Sequence, residues 1–467
     1  MTSRTFFHVG HRTFPTVTVV RIPPDLPKKA AAVKNDRPLC VLIVENNVAP
    51  RRSDVLAAEL SRFDLNHPYR CVYLPRSFYV DIAHDVPRNA AGGLGARLFR
   101  KFQPRRWWGE CRFLMSFFLA ASRCDVIHVG GITIGLTYLA LVCRRLFGVR
   151  VVQDTLASIS LTDDEAAEGR PADRRRRRRA AAERRTLLSA DRLIYLQAAE
   201  ARAACERLGI DFPQHKVHVI PLAADDPAEV PAVDPAGNIP TDAAKWSADA
   251  AKRSADASTR STDEQRSTTT PIGPDNPTDR FEIAWWASFS PLHGVPLVLD
   301  ALQRWVDRRP EDRWKLTLFA RSTHRIDLER LVDDSGLGSR VAIDRRWTLA
   351  DPPLRRAVAV ADLTLGQFGD SVKANHVITH KVLEALSFGR PVLTRGNAAY
   401  AERIPPGVLY ESSGDPCDLA RCFAEAFDDP DRAGRGRRGR RCFEQQFTVE
   451  RLRSRYRDFY DSWRPAA

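Results

Sequence analysis

The clearest pattern along the chain lies between residues 361 and 402, where short apolar runs alternate with a helix-like segment. Residues 361–365 predict a buried strand, and a loop rich in Gly, Asp and Ser follows. The next apolar residues recur at helical spacing and predict a helix, which Gly389 and Pro391 end before another strand begins. The apolar residues of this helix are Val377, Ile378, Val382 and Leu386. Such a strand–loop–helix–strand unit places its loop and the amino end of its helix at the carboxyl edge of a parallel sheet, where anionic ligands bind.

The same alternation of strands and helices extends over two parts of the chain. In the first part, strands are predicted at residues 39–44, 69–74, 125–130, 149–154, 191–196 and 217–220. In the second part, strands are predicted at residues 281–286, 314–319, 341–343, 361–365, 392–393 and 408–410. Many of these runs are continuous and β-branched, as strands covered on both faces are. The predicted fold class is therefore α/β, with two Rossmann-like domains.

Composition divides the chain into five segments. Residues 1–37, with many Pro, Lys and Ala residues, are predicted to be a flexible lead-in, and residues 38–223 form the first Rossmann-like domain. Residues 224–280 consist mainly of Asp, Ala, Pro, Ser and Thr, so they are predicted to be a disordered insertion or linker. The second Rossmann-like domain is predicted to cover residues 281–440, and residues 441–467 are predicted to form a terminal helix.

Charge and cysteine content narrow the class of protein. The 467 residues carry a net charge of +14, which favours anionic partners such as nucleotides, phospholipid head groups or nucleic acid. Most of this charge is arginine spread along the chain, for which a solvated basic surface is a sufficient explanation. The nine cysteines form no Cys-x-x-Cys pair, and the chain shows neither an apolar run of membrane-spanning length nor a secretory signal. These features predict a reduced, cytoplasmic protein.

Two basic stretches in the first half have more than one interpretation. Residues 95–121 interleave basic residues with aromatic ones, including Trp107 and Trp108. This pattern is typical of a peripheral contact with an anionic membrane, and also of a core helix whose amino end is solvated. Residues 174–179 are six consecutive arginines, which invite a nucleic-acid interpretation. Because acidic residues flank the run and a helix pattern continues after it, a solvated helix face is favoured.

Two carboxylates lie where ligands commonly bind. Glu384 stands among apolar residues of the predicted helix, where it either pairs with a neighbour such as Lys381 or binds the two hydroxyls of a ribose. Asp154 ends the strand at residues 149–154, at the edge that faces the interdomain cleft in a doubly wound fold. The alternative for Asp154 is a helix cap.

The sequence of residues 381–394, Lys-Val-Leu-Glu-Ala-Leu-Ser-Phe-Gly-Arg-Pro-Val-Leu-Thr, resembles the donor-site signature of retaining GT-B glycosyltransferases of family four. The resemblance implies that Glu384 is the second glutamate of the family's E-x(7)-E pattern, which binds the ribose of the donor. His376 stands where the family has its first glutamate, which contacts the donor sugar. A subgroup with a Pro-Leu-His-Gly segment and a Lys-rich loop also lacks that glutamate, and both features occur here, at residues 291–294 and at Lys373.

The resemblance also implies which other residues approach the donor. Where the family has two cations that contact the diphosphate, this chain has Ser288 and His293, followed by the family's glycine, Gly294. The other residues expected at the donor are Lys373 and Arg395, as candidates for the missing charge, and Thr394 and Glu402, near the phosphate or the sugar.

The resulting prediction is a GT-B enzyme whose two domains face each other across a cleft, with the acceptor on the first domain and the donor on the second. It transfers a sugar from a nucleotide-sugar donor to a hydroxyl acceptor (a glycan, a lipid-linked acceptor or a polysaccharide), with retention of configuration and without a metal ion or cofactor. Asp154 and His376 are the predicted catalytic residues, and the terminal helix at residues 441–467 is expected to cross back to the first domain. The alternative is a non-catalytic nucleotide-sugar-binding relative. Nucleic acid is not an expected partner, and a peripheral contact at the inner face of the membrane stays open.

Overall fold

A computed structural model describes residues 39–45, 69–75, 104–131, 134–167, 174–227, 280–289, 291–320, 327–346 and 352–463. The predicted lead-in at residues 1–37, most of the predicted linker at residues 224–280 and the side chains of Trp107 and Trp108 lie outside this description. In the part of the chain that is described, no helix is both long and apolar enough to cross a membrane.

Six parallel strands form the first sheet, in the order β2-β1-β3-β4-β5-β6. The strands are β1 (Leu39–Glu45), β2 (Tyr69–Pro75), β3 (Val126–Gly130), β4 (Arg150–Thr155), β5 (Arg192–Tyr195) and β6 (Val217–Val219). The helices described in this half are α1 (Pro104–Ala121), α2 (Ile134–Phe147), α3 (Ile159–Ala167), α4 (Arg174–Ser189) and α5 (Ala198–Arg207). The six strands predicted for this half are therefore confirmed.

A second sheet of six parallel strands has the order β12-β11-β10-β7-β8-β9. The strands are β7 (Phe281–Ala287), β8 (Trp314–Ala320), β9 (Val341–Asp344), β10 (Leu363–Leu365), β11 (Val392–Arg395) and β12 (Leu409–Ser412). This is the strand order of dinucleotide-binding Rossmann sheets. From β7 the strands are added first toward one edge of the sheet, and from β10 toward the other, so the switch point lies between β7 and β10. Ligands bind at such a switch point, outside the carboxyl ends of the strands.

The helices described in the second half are α6 (Val295–Arg308), α7 (Leu328–Asp334), α8 (Pro352–Val360), α9 (His380–Ser387), α10 (Ala398–Arg403), α11 (Pro416–Asp428), α12 (Arg432–Gln446) and α13 (Val449–Asp461). Two short 3-10 turns, Pro291–His293 and Ala374–His376, lie in the loops after β7 and β10. The predicted α/β class with two Rossmann-like sheets is confirmed.

Each face of the sheets is covered by helices, as the continuous apolar strands predict. In the first sheet, Leu42 and Val44 of β1 pack on one face against α1 and α2. Val41 and Ile43 point to the opposite face, because successive strand residues alternate, and they pack against α13. Helix α13 follows the second sheet in sequence but packs on the first, where it buries an apolar stripe of Leu452, Tyr456, Phe459 and Tyr460. The second sheet is covered by α6 and α11 on one face and by α9, α10 and α12 on the other.

Candidate functional site

The loops after β7, β10 and β11 meet at the carboxyl edge of the second sheet, beside the switch point. The backbone N–H groups of Phe368 and Gly369 donate to the carbonyl oxygens of His293 and Leu292, over 3.2 and 3.0 Å. Arg395 Nη1 donates to the carbonyl oxygen of Gly369 over 3.1 Å. The structure thus brings residues 291–294, the 366–370 loop and Arg395 together at this edge.

Gly294 allows the first two of these loops to approach. Its φ is +65°, and a Cβ at this position would lie 2.8 Å from the carbonyl carbon of Phe368. A side chain here would therefore push the two loops apart, in a backbone conformation that favours glycine. Gly294 also precedes the first turn of α6. Of the two residues that stand where cations were expected, Ser288 is exposed and His293 is buried.

Glu384 lies on α9, where the side chains of Trp286 and His380 contact its carboxylate. Trp286 Nε1 donates to its Oε2 over 2.7 Å, and His380 Nδ1 lies 3.1 Å from its Oε1. The neighbour within hydrogen-bond reach of Glu384 on α9 is His380 rather than Lys381, whose Nζ has no hydrogen-bond partner among the described residues. The contact with His380 is an ion pair only when the imidazole is protonated. The Glu384 side chain remains 19% exposed.

His380 joins this site to the first half of the chain. Its Nε2 lies 3.2 Å from the carbonyl oxygen of Ala223, in the loop after β6. Both ring nitrogens face oxygen acceptors, the carboxylate of Glu384 and this carbonyl. A protonated imidazole donates to both, whereas a neutral ring donates to only one.

The helix predicted through Val377 and Ile378 begins later, at His380. Val377 has extended backbone angles, with φ −126° and ψ 148°. The side-chain amides of Gln367 and Asn397 both donate to the carbonyl oxygens of Ala374 and Val377, so these carbonyls are used outside a helix. The expected helix dipole near residues 376–380 therefore acts at His380 and not at His376.

His376 closes the 3-10 turn that precedes this helix. Its Nδ1 lies 2.7 Å from the carbonyl oxygen of Val372, which can only accept, so Nδ1 carries a proton. In the neutral ring Nε2 is then a hydrogen-bond acceptor. Lys373 lies in the same loop and is half-buried.

Lys381 is a cation near Glu384 that was not predicted to be a site residue. Its side chain is buried, and among the described residues Nζ has no hydrogen-bond partner. The amine lies 5.7 Å from the ring centroid of Trp285, at the carboxyl end of β7. Burial lowers the pKa of Lys381 well below its usual value, and the nearby charge of Glu384 partly opposes this shift. The sequence signal was a lysine among the apolar residues of the helix, three positions before Glu384.

Thr394, predicted near the phosphate or sugar, is fully buried within the second half. Its hydroxyl accepts from the backbone N–H of Gln367 over 3.1 Å and lies 3.0 Å from the carbonyl oxygen of the same residue. These contacts attach β11 to the loop after β10. Contact of Thr394 with a donor stays a prediction, since the hydroxyl is used inside the protein.

Glu402, predicted near the phosphate or the sugar, contacts the first half of the chain. Its Oε1 and Oε2 accept from the backbone N–H groups of Ala198 and Ala199, over 3.2 and 3.1 Å. These are the first residues of α5, whose own N-cap residue, Gln197, makes no side-chain capping bond. A carboxylate from α10 therefore caps a helix of the other half, where the helix dipole favours negative charge.

Asp154 is buried beneath α13. Tyr456 donates its hydroxyl to Asp154 Oδ2 over 2.6 Å, and His128 Nε2 lies 3.4 Å from the same oxygen. The other ring nitrogen of His128 lies 2.7 Å from the hydroxyl of Tyr460. This buried polar cluster attaches α13 to the first sheet. A catalytic role of Asp154 stays a prediction, and its contacts here are those of a structural group.

Two further carboxylates shape the first half's side of the site. Glu183 of α4 accepts from the backbone N–H groups of Ile159 and Ser160, over 2.9 and 2.8 Å, and Glu200 of α5 accepts from that of Ser158 over 3.1 Å. They fix the amino end of α3, which contacts the Pro291–His293 turn of the second half. Neither residue was predicted from the sequence to lie near the site, although Glu183 is the only acidic residue of the arginine-rich α4. Among the described residues no group of three His, Cys, Asp or Glu side chains could hold a metal ion.

The chain is similar to a known domain family and to several solved structures. Residues 55–223 match the glycosyl transferase 4-like domain family. No curated protein matches the chain at a significant level. Anabaena Alr3699/HepE in complex with UDP has a TM-score of 0.58 and 14% identity, with 91% of this chain and 100% of that chain covered.

Two other solved structures show the same likeness. Sucrose-phosphate synthase (tll1590) from Thermosynechococcus elongatus has a TM-score of 0.58 and 14% identity, with 91% of this chain and 99% of that chain covered. The lipopolysaccharide outer core galactosyltransferase WaaB, in its apo form, has a TM-score of 0.53 and 12% identity, with 91% of this chain and 100% of that chain covered. Likeness at this identity establishes the fold, and the predicted GT-B arrangement of the two domains is confirmed.

Proposed function

We propose that the protein is a glycosyltransferase that moves a sugar from a nucleotide-sugar donor to a hydroxyl acceptor. The observation that carries this proposal is the position of Glu384. It lies on the helix that starts at the switch point of the second sheet, partly exposed, with Trp286 and His380 fixing its carboxylate. A carboxylate held at this edge of a Rossmann sheet can accept from both hydroxyls of a ribose. The match of residues 55–223 to a glycosyl transferase 4-like domain supports the same class.

We propose a uridine nucleotide as the donor's leaving group. HepE, which shares the fold, binds UDP and UDP-glucose. In this chain the diphosphate would lie between the amino end of α9, Lys373 and Arg395. Helix N–H groups and these cations would stabilise the negative charge that develops as the glycosidic bond breaks. This part of the proposal needs no metal ion.

His376 would contact the donor sugar in place of a glutamate. Because Nδ1 donates to the carbonyl oxygen of Val372, the neutral ring offers Nε2 as an acceptor for a sugar hydroxyl. The acceptor, for which a glycan, a lipid-linked acceptor and a polysaccharide remain the candidates, would approach from the first half, where Glu183 and Glu200 fix the amino end of α3. Retention of anomeric configuration is part of the proposal.

Nucleotide binding to wild type and to Glu384→Gln tests the donor site. Thermal shift and calorimetry with UDP, GDP, ADP and CMP should show saturable binding of one nucleotide, with UDP expected. Loss of a hydrogen bond to a charged group, roughly 1.5–3 kcal/mol, should weaken that binding by about 10- to 150-fold in the variant. Gln keeps an oxygen for the Trp286 indole, so the fold should persist. Glu425→Ala, at an exposed position on α11, is the control that should bind as wild type does.

Two results would refute the assignment of this site. If none of the four nucleotides binds, the proposed nucleotide-sugar donor is refuted. If Glu384→Gln and wild type bind the nucleotide with equal affinity, Glu384 does not bind the ribose. The anomeric configuration of the product, measured by NMR, tests retention separately.

A second candidate is a nucleotide-sugar-binding protein without catalysis. The observation that favours it is His376, a group that lacks the negative charge of the family's first glutamate. Donor hydrolysis or transfer by wild type above the rate of Glu384→Gln would exclude this candidate. Binding without any turnover, over a panel of hydroxyl acceptors, would support it.

A further inference from the structure

Exposed apolar side chains are concentrated on three helices of the first half. Among the described residues, the exposed large hydrophobic side chains are Leu114, Met115, Leu119, Val142, Leu146, Leu188, Val360 and Val372. The first six lie on α1, α2 and α4, and the most exposed of all are Met115, at 72%, and Leu146, at 63%. Scattered apolar residues on a surface are ordinary, whereas a concentration of them marks an interaction site.

These three helices form one outer layer on one face of the first sheet. Phe118 of α1 and Phe147 of α2 pack edge to face, with ring centroids 6.5 Å apart, over the core that both helices share. Arg144 of α2 forms an ion pair of 2.8 Å with Asp191, just after α4. Because the inner faces of α1 and α2 are buried in the same core, their outward residues face the same side of the molecule.

Residues 95–121 had two interpretations, a peripheral contact with an anionic membrane and a core helix whose amino end is solvated. In the described part, α1 buries one face in the core and exposes the other. Phe113 and Phe117 are buried in the core, while Arg112, Met115 and Leu119 point outward at helical spacing. The outward face of α1 then continues onto α2 and α4, which the sequence alone did not connect.

The same layer is strongly basic. Helices α1, α2 and α4 together contain thirteen arginines and two glutamates, Glu110 and Glu183. Glu183 is buried and holds the amino end of α3, so it does not neutralise the surface. Most arginines of α4 are exposed, as are Arg112 and Arg145. The surface therefore offers apolar side chains between positive charges.

We propose that the outer surface of α1, α2 and α4 docks on a lipid bilayer that carries anionic head groups. The exposed side chains of Met115, Leu119 and Leu146 would enter the boundary between head groups and acyl chains, and the arginines would bind lipid phosphates. Charge complementarity selects this partner. A second copy of the chain would bring two arginine-rich surfaces together, and nucleic acid would leave the aliphatic side chains without an apolar partner.

Flotation with vesicles tests this surface without a nucleotide, so its outcome is independent of the proposed sugar transfer. Vesicles of phosphatidylcholine alone are compared with vesicles that also contain phosphatidylglycerol. Wild type should float with the anionic vesicles and much less with the neutral ones, and added salt should weaken the binding. Each arginine near the surface is expected to contribute about fivefold in affinity. Arg112→Gln/Arg145→Gln should therefore weaken binding by roughly 30-fold if the two contributions multiply.

A second comparison tests the apolar side chains, with a serine substitution outside the surface as the control. Met115→Ser/Leu146→Ser should lower binding to anionic vesicles at least tenfold, while Val360→Ser, at a position of 59% exposure on α8, should bind as wild type does. Failure of wild type to float with anionic vesicles, or equal flotation of Met115→Ser/Leu146→Ser, would overturn the proposal. So would a monomer–dimer equilibrium, seen by light scattering without lipid, that the double variant abolishes.

Discussion

Replacement of Lys381 by Met tests how the buried amine affects stability. The lysine side chain is buried on α9, and in the described structure its Nζ has no hydrogen-bond partner. Methionine has a similar length and volume, so it should fill the same space beside Trp285 without a cavity. The change removes a buried polar group and keeps most of the packing.

The expected result is a more stable protein. An unsatisfied buried polar group costs about 1–3 kcal/mol, so the free energy of unfolding of Lys381→Met should rise by roughly that amount. For a domain of about 150–250 residues this corresponds to an increase in Tm of roughly 2–4 °C for each kcal/mol. Most substitutions of buried residues destabilise a protein, so a higher free energy of unfolding would indicate that the buried amine is destabilising.

The pH dependence gives a second test of the same reasoning. Burial lowers the pKa of Lys381 in the folded protein, and in the unfolded chain the lysine titrates near its ordinary value of about 10.4. Between these two pKa values the unfolded chain binds more protons, so the stability of wild type rises with pH relative to Lys381→Met, by up to about 1.4 kcal/mol per pH unit. Below the folded-state pKa the full penalty is present, and above about pH 10.4 it is lost.

The assay is denaturant unfolding of wild type, Lys381→Met and the control Lys315→Met from about pH 6 to 10, a range that lies below the unfolded pKa of lysine. Lys315 lies on β8 and is half-buried, so its replacement controls for the general effect of a lysine-to-methionine change. A destabilised Lys381→Met, or a difference from wild type that does not depend on pH, would refute the account. Either result would mean that the amine is satisfied in the folded protein.

Two further predictions concern contacts that tertiary structure imposes. Gly294→Ala should lower the free energy of unfolding by about 1–3 kcal/mol, because the added Cβ meets the Phe368 backbone at positive φ. The control Gly338→Ala, whose added Cβ would have no atom within 4 Å, should leave the free energy of unfolding unchanged. Thermal unfolding measures both variants, and equal Tm values would contradict a close approach at Gly294. Glu402→Ala should remove the cap of α5, at a cost of about 0.5–2 kcal/mol, and speed hydrogen exchange at the amides of Ala198 and Ala199. Unchanged exchange at these amides would show that the two halves are not held together by this carboxylate.

The sequence by itself determined the strands of the two sheets and their alternation with helices. Continuous apolar runs such as β1 and β7 can only be buried on both faces, and their alternation with helix patterns requires parallel sheets. It also placed Glu384 on an apolar helix at the carboxyl edge of the second sheet, where the structure has it. These are local properties, because strand and helix periodicity depends on residues a few positions apart.

Only the tertiary structure decided which partner each polar group takes. Helix α9 begins at His380 because Gln367 and Asn397, distant in sequence, bind the carbonyl oxygens of Ala374 and Val377. Glu402 caps a helix that lies 204 residues earlier, on the other half of the protein. A hydrogen bond of this kind depends on how the two sheets pack, and no pattern within a single segment encodes it. The surface of α1, α2 and α4, with its arginines and exposed apolar side chains, is also decided by tertiary structure, because it forms only when the three helices lie side by side.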